Sequence, residues 1–125
     1  MSRNKYCCDC GTIHAELVEH VKTEMLEDKE FDTVEKYFKA LGDRTRIRIV
    51  WALFNHEMCV CDLSNLLSMS ISSISHQLRE LKLCKLIKSR RDGKTIYYSL
   101  FDRHVENFVN NALEHIMEDR DEVKD

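Results

Sequence analysis

The chain has 125 residues, a net charge of −3, 43% hydrophobic and 33% charged residues, and six cysteines. That suits one domain of ordinary size, no run approaches the ~18 apolar residues of a membrane span, and a chain this short gains core by pairing with a second copy. The start, MSRNKYCCDC, lacks the apolar stretch of a secretory signal, so the expected location is cytoplasmic, where thiols stay reduced and metal ligation or thiol chemistry outranks a disulfide framework.

With no proline and three glycines, a helix-dominated chain is predicted, its turns carried by other residues. Residues 1–11 are polar and cysteine-rich and read as a terminal arm. From 12 to 28, Ile13, Leu17, Val21 and Met25 recur at helical spacing. Thr33 is a candidate cap for a helix with apolar Val34, Tyr37, Phe38 and Leu41, stopped at Gly42. Asp43 opens the next, with Ile47, Ile49, Val50, Leu53 and Phe54 inside.

Residues 62–68 read as a short helix with Leu63, Leu66 and Leu67 inward, linked tightly through Met69 and Ser70 to a helix over 71–83. There Ile71, Ile74, Leu78 and Leu81 form one stripe, and Ser72, Ser73, Ser75, His76 and Arg79 lie off it. Asp92-Gly93 between LIKSRR and KTIYYSL signals a β-hairpin. Residues 102–120 return to amphipathic helix through Val105, Phe108, Val109, Leu113 and Ile116. No internal repeat or linker is visible, so the organisation reads as an arm (1–11), one domain (12–121) and an acidic tail (122–125).

Two short helices followed by a basic hairpin are the order of a DNA reader, whose second helix lies in the major groove. Ser72, Ser73 and Ser75 can contact phosphates or base edges, and His76 and Arg79 reach further. Arg90, Arg91 and Lys94 would carry the hairpin along the backbone or into the minor groove. Between Arg79 and Lys94 seven Lys/Arg meet two acids, a local +5 that leaves −8 for the rest of the chain. A basic strip on an acidic body is a directed electrostatic footprint, although a solvated face would look similar on charge alone. Any one of these serines could equally cap a helix or line a turn. As a set they lower helix propensity with no packing return, which favours contact.

The segments FKALGDRTRIRIVWAL, MCVCDLSNLL, SSISHQLRELKLCKLI and RRDGKTIYYSL, with the terminal helix, resemble the ArsR/SmtB family of metal-sensing repressors over about 31–118. CVCDL, together with cysteines in the arm, is similar to the cadmium/lead-sensing CadC branch, although Cys7-Cys8-Asp9-Cys10 is more crowded than that branch's arm. The resemblance implies a winged-helix dimer that represses a metal-efflux operon while metal-free. It also implies that the arm and the Cys59 segment come from different protomers.

Cys59 and Cys61 lie two apart, a spacing that points them about 200° from each other on a regular helix. They share an ion only if the segment is extended or just beginning its helix. Cys7, Cys8 and Cys10 can supply the remaining sulfurs. Such a set favours Cd(II), Pb(II), Zn(II) and similar soft ions over Mg(II) or Ca(II). Cys59 as a small buried hydrophobe is the plain alternative. Cys84, between Leu83 and Leu86, reads as core.

A second candidate site uses Asp102, His104, His115 and Glu118. His104 and His115 are eleven residues apart, about three turns and ~16 Å along one face. Two antiparallel helices across a two-fold axis would bring the pairs together as two equivalent sites, with ligands suited to Zn(II). The pattern resembles the family's terminal-helix zinc site. Asp102 is also a natural N-cap, and Glu118 belongs to an acidic tail.

The expected fold is mainly α with a small β-hairpin, a winged helix-turn-helix in the order α-α-α-α-α-β-β-α, assembled as a homodimer. The expected function is repression of a metal efflux or cadmium-resistance operon by binding double-stranded operator DNA when metal-free, with release on binding Cd(II), Pb(II) or Zn(II). The alternative is a repressor whose cysteines sense oxidants by forming a disulfide. No membrane or organic cofactor is expected. With no paired carboxylates, nucleophile–base set or phosphate-cradling glycine loop, no enzymatic activity is expected either.

Overall fold

The computed structural model describes residues 14–124. Its elements are α1 (Ala15–Glu24), α2 (Asp28–Leu41), α3 (Arg44–Ala52), β1 (Met58–Cys59), α4 (Val60–Leu67), α5 (Ile71–Leu83), β2 (Ile87–Asp92), β3 (Thr95–Leu100) and α6 (Arg103–Lys124). The chain divides into two compact units, one up to Thr33 and one from Val34 on. Ile13 and the arm cysteines Cys7, Cys8 and Cys10 lie outside the described residues.

In the first unit α1 is shorter than expected. Met25 leaves the helix with extended backbone (φ −69°, ψ 147°), and no residue of α1 is buried. Thr33 does not cap the next helix. α2 begins five residues earlier, and the Thr33 hydroxyl donates to the Lys29 carbonyl at 3.2 Å. Asp28 and Glu30 stand in the first turn, where carboxylates complement the helix dipole. The Glu27 N–H also donates to Glu30 Oε1 at 3.0 Å, half of a capping box.

The second unit holds the core. Ile49, Val50 and Leu53 meet Leu63 and Leu67, then Ile74, Leu78 and Leu81, with Leu86, Ile87 and Leu100 at the sheet. Asp43 caps α3, its carboxylate accepting the Arg46 N–H at 3.0 Å. Three residues expected inside are instead exposed: Ile47 (48%), Leu66 (55%) and Ile71 (51%). Helical geometry explains the first two. Ile47 precedes Ile49 by two positions, about 200° around the helix, and Leu63 with Leu67 at i, i+4 already fills the inward face of α4. Ile71 starts α5, ahead of the turn that Ile74 anchors.

Several turns fall to residues other than glycine, as predicted. Asn55, Ser68 and Lys85 all take positive φ. Ser68 ends α4 in the left-handed region, and the Ser64 hydroxyl donates across that turn to the Met69 carbonyl. Ser70 then starts α5 by accepting the Ser73 N–H at 3.1 Å. Ser70→Ala should therefore lower stability by about 1 kcal/mol, read as a shift in urea midpoint with an unchanged slope.

The hairpin forms with a ladder from Ile87↔Leu100 to Asp92↔Thr95. Its loop is Gly93–Lys94, one residue later than Asp92-Gly93, with Gly93 at φ +65° in the first central position. A third strand was not anticipated. β1 pairs antiparallel with β3 through Met58↔Tyr98 and Cys59↔Tyr97, giving the sheet order β1-β3-β2.

Candidate nucleic-acid and thiolate sites

Helix α5 turns its apolar stripe inward and its polar face out. Ser72, His76 and Arg79 are exposed, while Ser73 and Ser75 are half-buried. The Arg46 guanidinium donates through Nε to Gln77 Oε1 at 2.7 Å, tying α3 to α5. All seven cations from Arg79 to Lys94 are exposed. Lys82 Nζ donates to Ser89 Oγ at 2.7 Å, joining the helix to the first strand of the hairpin. Arg91 and Lys94 stand at the hairpin tip, whereas Arg90 sits further back, opposite Tyr97.

Arg90 is engaged within the protein. Its Nε and Nη2 each donate to Glu57 at 2.8 Å, and its guanidinium carbon lies 4.9 Å from the centre of the Tyr97 ring. Bidentate pairing of this kind is the strong form of an ion pair. The hydrogen bond from Arg90, aided by its charge, holds the Glu57 carboxyl below its ordinary value and raises that of Arg90. Stabilisation from a depressed carboxyl is full above its unfolded-state value and fades as pH falls through its folded-state value. Comparing urea midpoints of wild type and Glu57→Gln from about pH 7 to about pH 3 should thus show a small difference that vanishes at the acid end. Glu57, Tyr97 and β1 carry no local sequence signal, because Glu57 and Arg90 are 33 residues apart.

Cys59 ends β1 and is the N-cap of α4, with extended backbone (φ −89°, ψ 173°). Cys61 is the second residue of that helix. The segment is therefore extended at one cysteine and just beginning its helix at the other. Cys61 is exposed, Cys59 half-buried, and both are free thiols. Asp62 fixes the segment by accepting the Cys59 N–H at 3.2 Å. Cys84 is the C-cap of α5 and packs against the core, as expected.

Asp102 caps α6, with Oδ1 accepting the Val105 N–H at 3.1 Å and Oδ2 lying 3.5 Å from His104 Nδ1. The Val105 bond is the main reason its carboxyl sits below the ordinary range. His115 and Glu118 are exposed further along the same helix. Among the described residues no three His, Cys, Asp or Glu side chains gather in one place that could hold a metal ion. Cys59 and Cys61 flank the start of α4, Asp102 and His104 lie at the start of α6, and His115 and Glu118 lie further along it.

The helix pair α4–α5, the three-stranded wing and the flanking helix define a winged helix-turn-helix protein, the class of fold that reads duplex DNA. Residues 43–89 match the arsR family of bacterial regulatory proteins. A homolog of the transcriptional repressor SmtB from Synechocystis sp. is 40% identical over 111 residues, covering 89% of this chain and 84% of that protein. A homolog of the cadmium resistance transcriptional regulatory protein CadC from Staphylococcus aureus is 40% identical over 112 residues, covering 89% and 92%. Among solved structures, a homodimeric winged helix-turn-helix DNA-binding domain from Mycobacterium bovis superposes with a TM-score of 0.66 at 26% identity, over 76% of this chain and 89% of that one. The chain belongs to the arsR family of transcriptional regulators. These relatives are regulators, in keeping with the expectation that the chain is not an enzyme. No helix of the described residues is long and apolar enough to cross a membrane.

Proposed function

We propose that the chain is a metal-responsive repressor. As a metal-free homodimer it holds operator DNA, and it lets go when thiolates ligate Cd(II), Pb(II) or Zn(II), which derepresses an efflux or resistance operon. The observation that carries this reading is the placement of Cys59 and Cys61 on a strand-to-helix junction at the start of α4, the helix that precedes the reading helix α5. Names of the relatives point the same way, toward cadmium resistance and SmtB-type repression.

In this reading each copy offers α5 to the major groove through Ser72, Ser73, Ser75, His76 and Arg79. Arg91 and Lys94 follow the backbone, with Arg90 behind them. Exposed Leu17 and Val21 on α1, and Phe108 and Ile116 on α6, are apolar surface that a second copy would cover. The two reading helices then stand about 34 Å apart, one turn of duplex. Cys59 and Cys61 contribute two sulfurs, and Cys7, Cys8 and Cys10 of the arm contribute the rest. A bound soft ion supplies a positive centre that ties these distant thiolates together. Asp102 and His104 of one α6, with His115 and Glu118 of the partner's, form a separate zinc site.

Ligating cysteines must lose their protons, so metal uptake releases acid and apparent affinity rises with pH. Titrating the reduced protein with cadmium should raise the ultraviolet thiolate-to-metal absorption band in step with proton release. Uptake without that band would contradict sulfur ligation.

A further inference from the structure

The wing sheet places the candidate ligand Cys59 in one cross-strand row with two residues of the hairpin. Cys59 opposes Tyr97 on β3, and Tyr97 opposes Arg90 on β2. Directly opposed residues in antiparallel pairs share a face of the sheet. The contacts agree: the Arg90 guanidinium lies over the Tyr97 ring at 4.9 Å. Glu57, two residues before Cys59, reaches the far end of the row with oxygens 2.8 Å from Arg90 Nε and Nη2. One ion pair therefore spans all three strands, from the approach to β1 across β3 to β2.

Resting on the metal-responsive reading above, we propose that this row, Cys59–Tyr97–Arg90 closed by Glu57, couples ligation at Cys59 to the position of the wing, with Glu57 and Tyr97 as positioning residues for Arg90. The strand carrying Cys59 is two residues long. A strand so short has little backbone pairing to resist displacement, so its seat on the wing depends on the side chains that brace it. Any shift that ligation imposes on Cys59 is passed to its ladder partner Tyr97, to the cation on that ring, and through Glu57 back to the start of β1. The row is closed on itself, so β1 and the hairpin move as one body while it is intact. Breaking it lets β1 follow the ligand while the wing stays behind.

The test uses the full chain and its promoter duplex at fixed salt, with and without cadmium. The readout is the ratio of metal-free to cadmium-loaded promoter affinity, taken within each variant so that general changes in DNA affinity cancel. Cadmium uptake is followed separately by the thiolate-to-metal band. Glu57→Gln and Tyr97→Leu should keep the band and its titration midpoint within about twofold, yet cut the ratio to less than about a fifth of wild type, given that allosteric couplings usually run from about 5- to 150-fold. Tyr97→Phe retains the ring and should retain the ratio. If Tyr97→Leu fails to fold, the exposed Glu57→Gln decides alone. A wild-type ratio in Glu57→Gln with the band present overturns the coupling row. A wild-type protein that shows no band or no ratio overturns it too, and is recognisable as failure of the underlying reading because no variant is needed to see it.

Discussion

Cys59→Ser is expected to raise the cadmium concentration needed to release the promoter by at least about tenfold, since one decade is the loss of only ~1.4 kcal/mol of ligation. Serine keeps the size and the extended N-cap role, which serine fills well. It replaces a soft sulfur by a hydroxyl that stays protonated at neutral pH and binds soft ions poorly. Cys61→Ser should act in the same direction, because Cys61 is exposed at the first turn of α4 beside it. Cys84→Ser supplies the contrast. Cys84 caps the far end of α5 and packs on the core, so its replacement should disturb stability and leave the cadmium midpoint in place. Promoter titrations over a cadmium series on the three variants check this. An unchanged midpoint in both Cys59→Ser and Cys61→Ser would remove the thiolates from sensing.

Ile74→Ala should cost about 2–5 kcal/mol, a large share of the ~5–15 kcal/mol that holds a domain together. Ile74 lies on α5 and is completely buried, among Leu78 and Leu81 of its own helix and the core residues of α3 and α4. Truncation leaves a cavity between rigid helices that can close only partly. The melting temperature should fall by on the order of 10–20 °C, and promoter binding should weaken as the folded fraction shrinks. Ile71→Ala, three residues earlier and half exposed, should change stability by no more than about 0.5 kcal/mol. Thermal melts of the two variants separate an α5 anchored through one face from one anchored all round.

Much of the second unit was legible because its signals are local. The Asp43 cap follows from a side chain three residues from the group it serves, and the stop at Gly42 from a residue that favours helix ends; the Ser70 cap was read only as a tight link. The Leu78–Leu81 stripe follows from helical period alone. Errors arose where two short-range rules competed. Thr33 is a good cap by type, but the carboxylates at Asp28 and Glu30 start α2 earlier. Leu66 is as apolar as Leu63, but a helix of eight residues has one inward face, and Leu63 and Leu67 occupy it. Strand β1 was invisible because two residues show no alternation and its partners lie about forty positions downstream. The Glu57–Arg90 pair was hidden for the same reason. For the proposed thiolate site, the candidate cysteines and the backbone condition for their sharing an ion could be read from sequence. The N-cap geometry of Cys59 meets that condition, while the arm cysteines and the terminal-helix pairing call on residues or a second copy outside what one described chain holds.

The most direct test is the affinity of the intact, reduced dimer for its own promoter, measured at one salt concentration with the protein first empty and then saturated with cadmium. Loading should weaken binding by at least about tenfold, and DNA should weaken cadmium uptake by the same factor, since linkage is reciprocal. Equal affinity in the two states would contradict a metal-responsive repressor, whatever the fold.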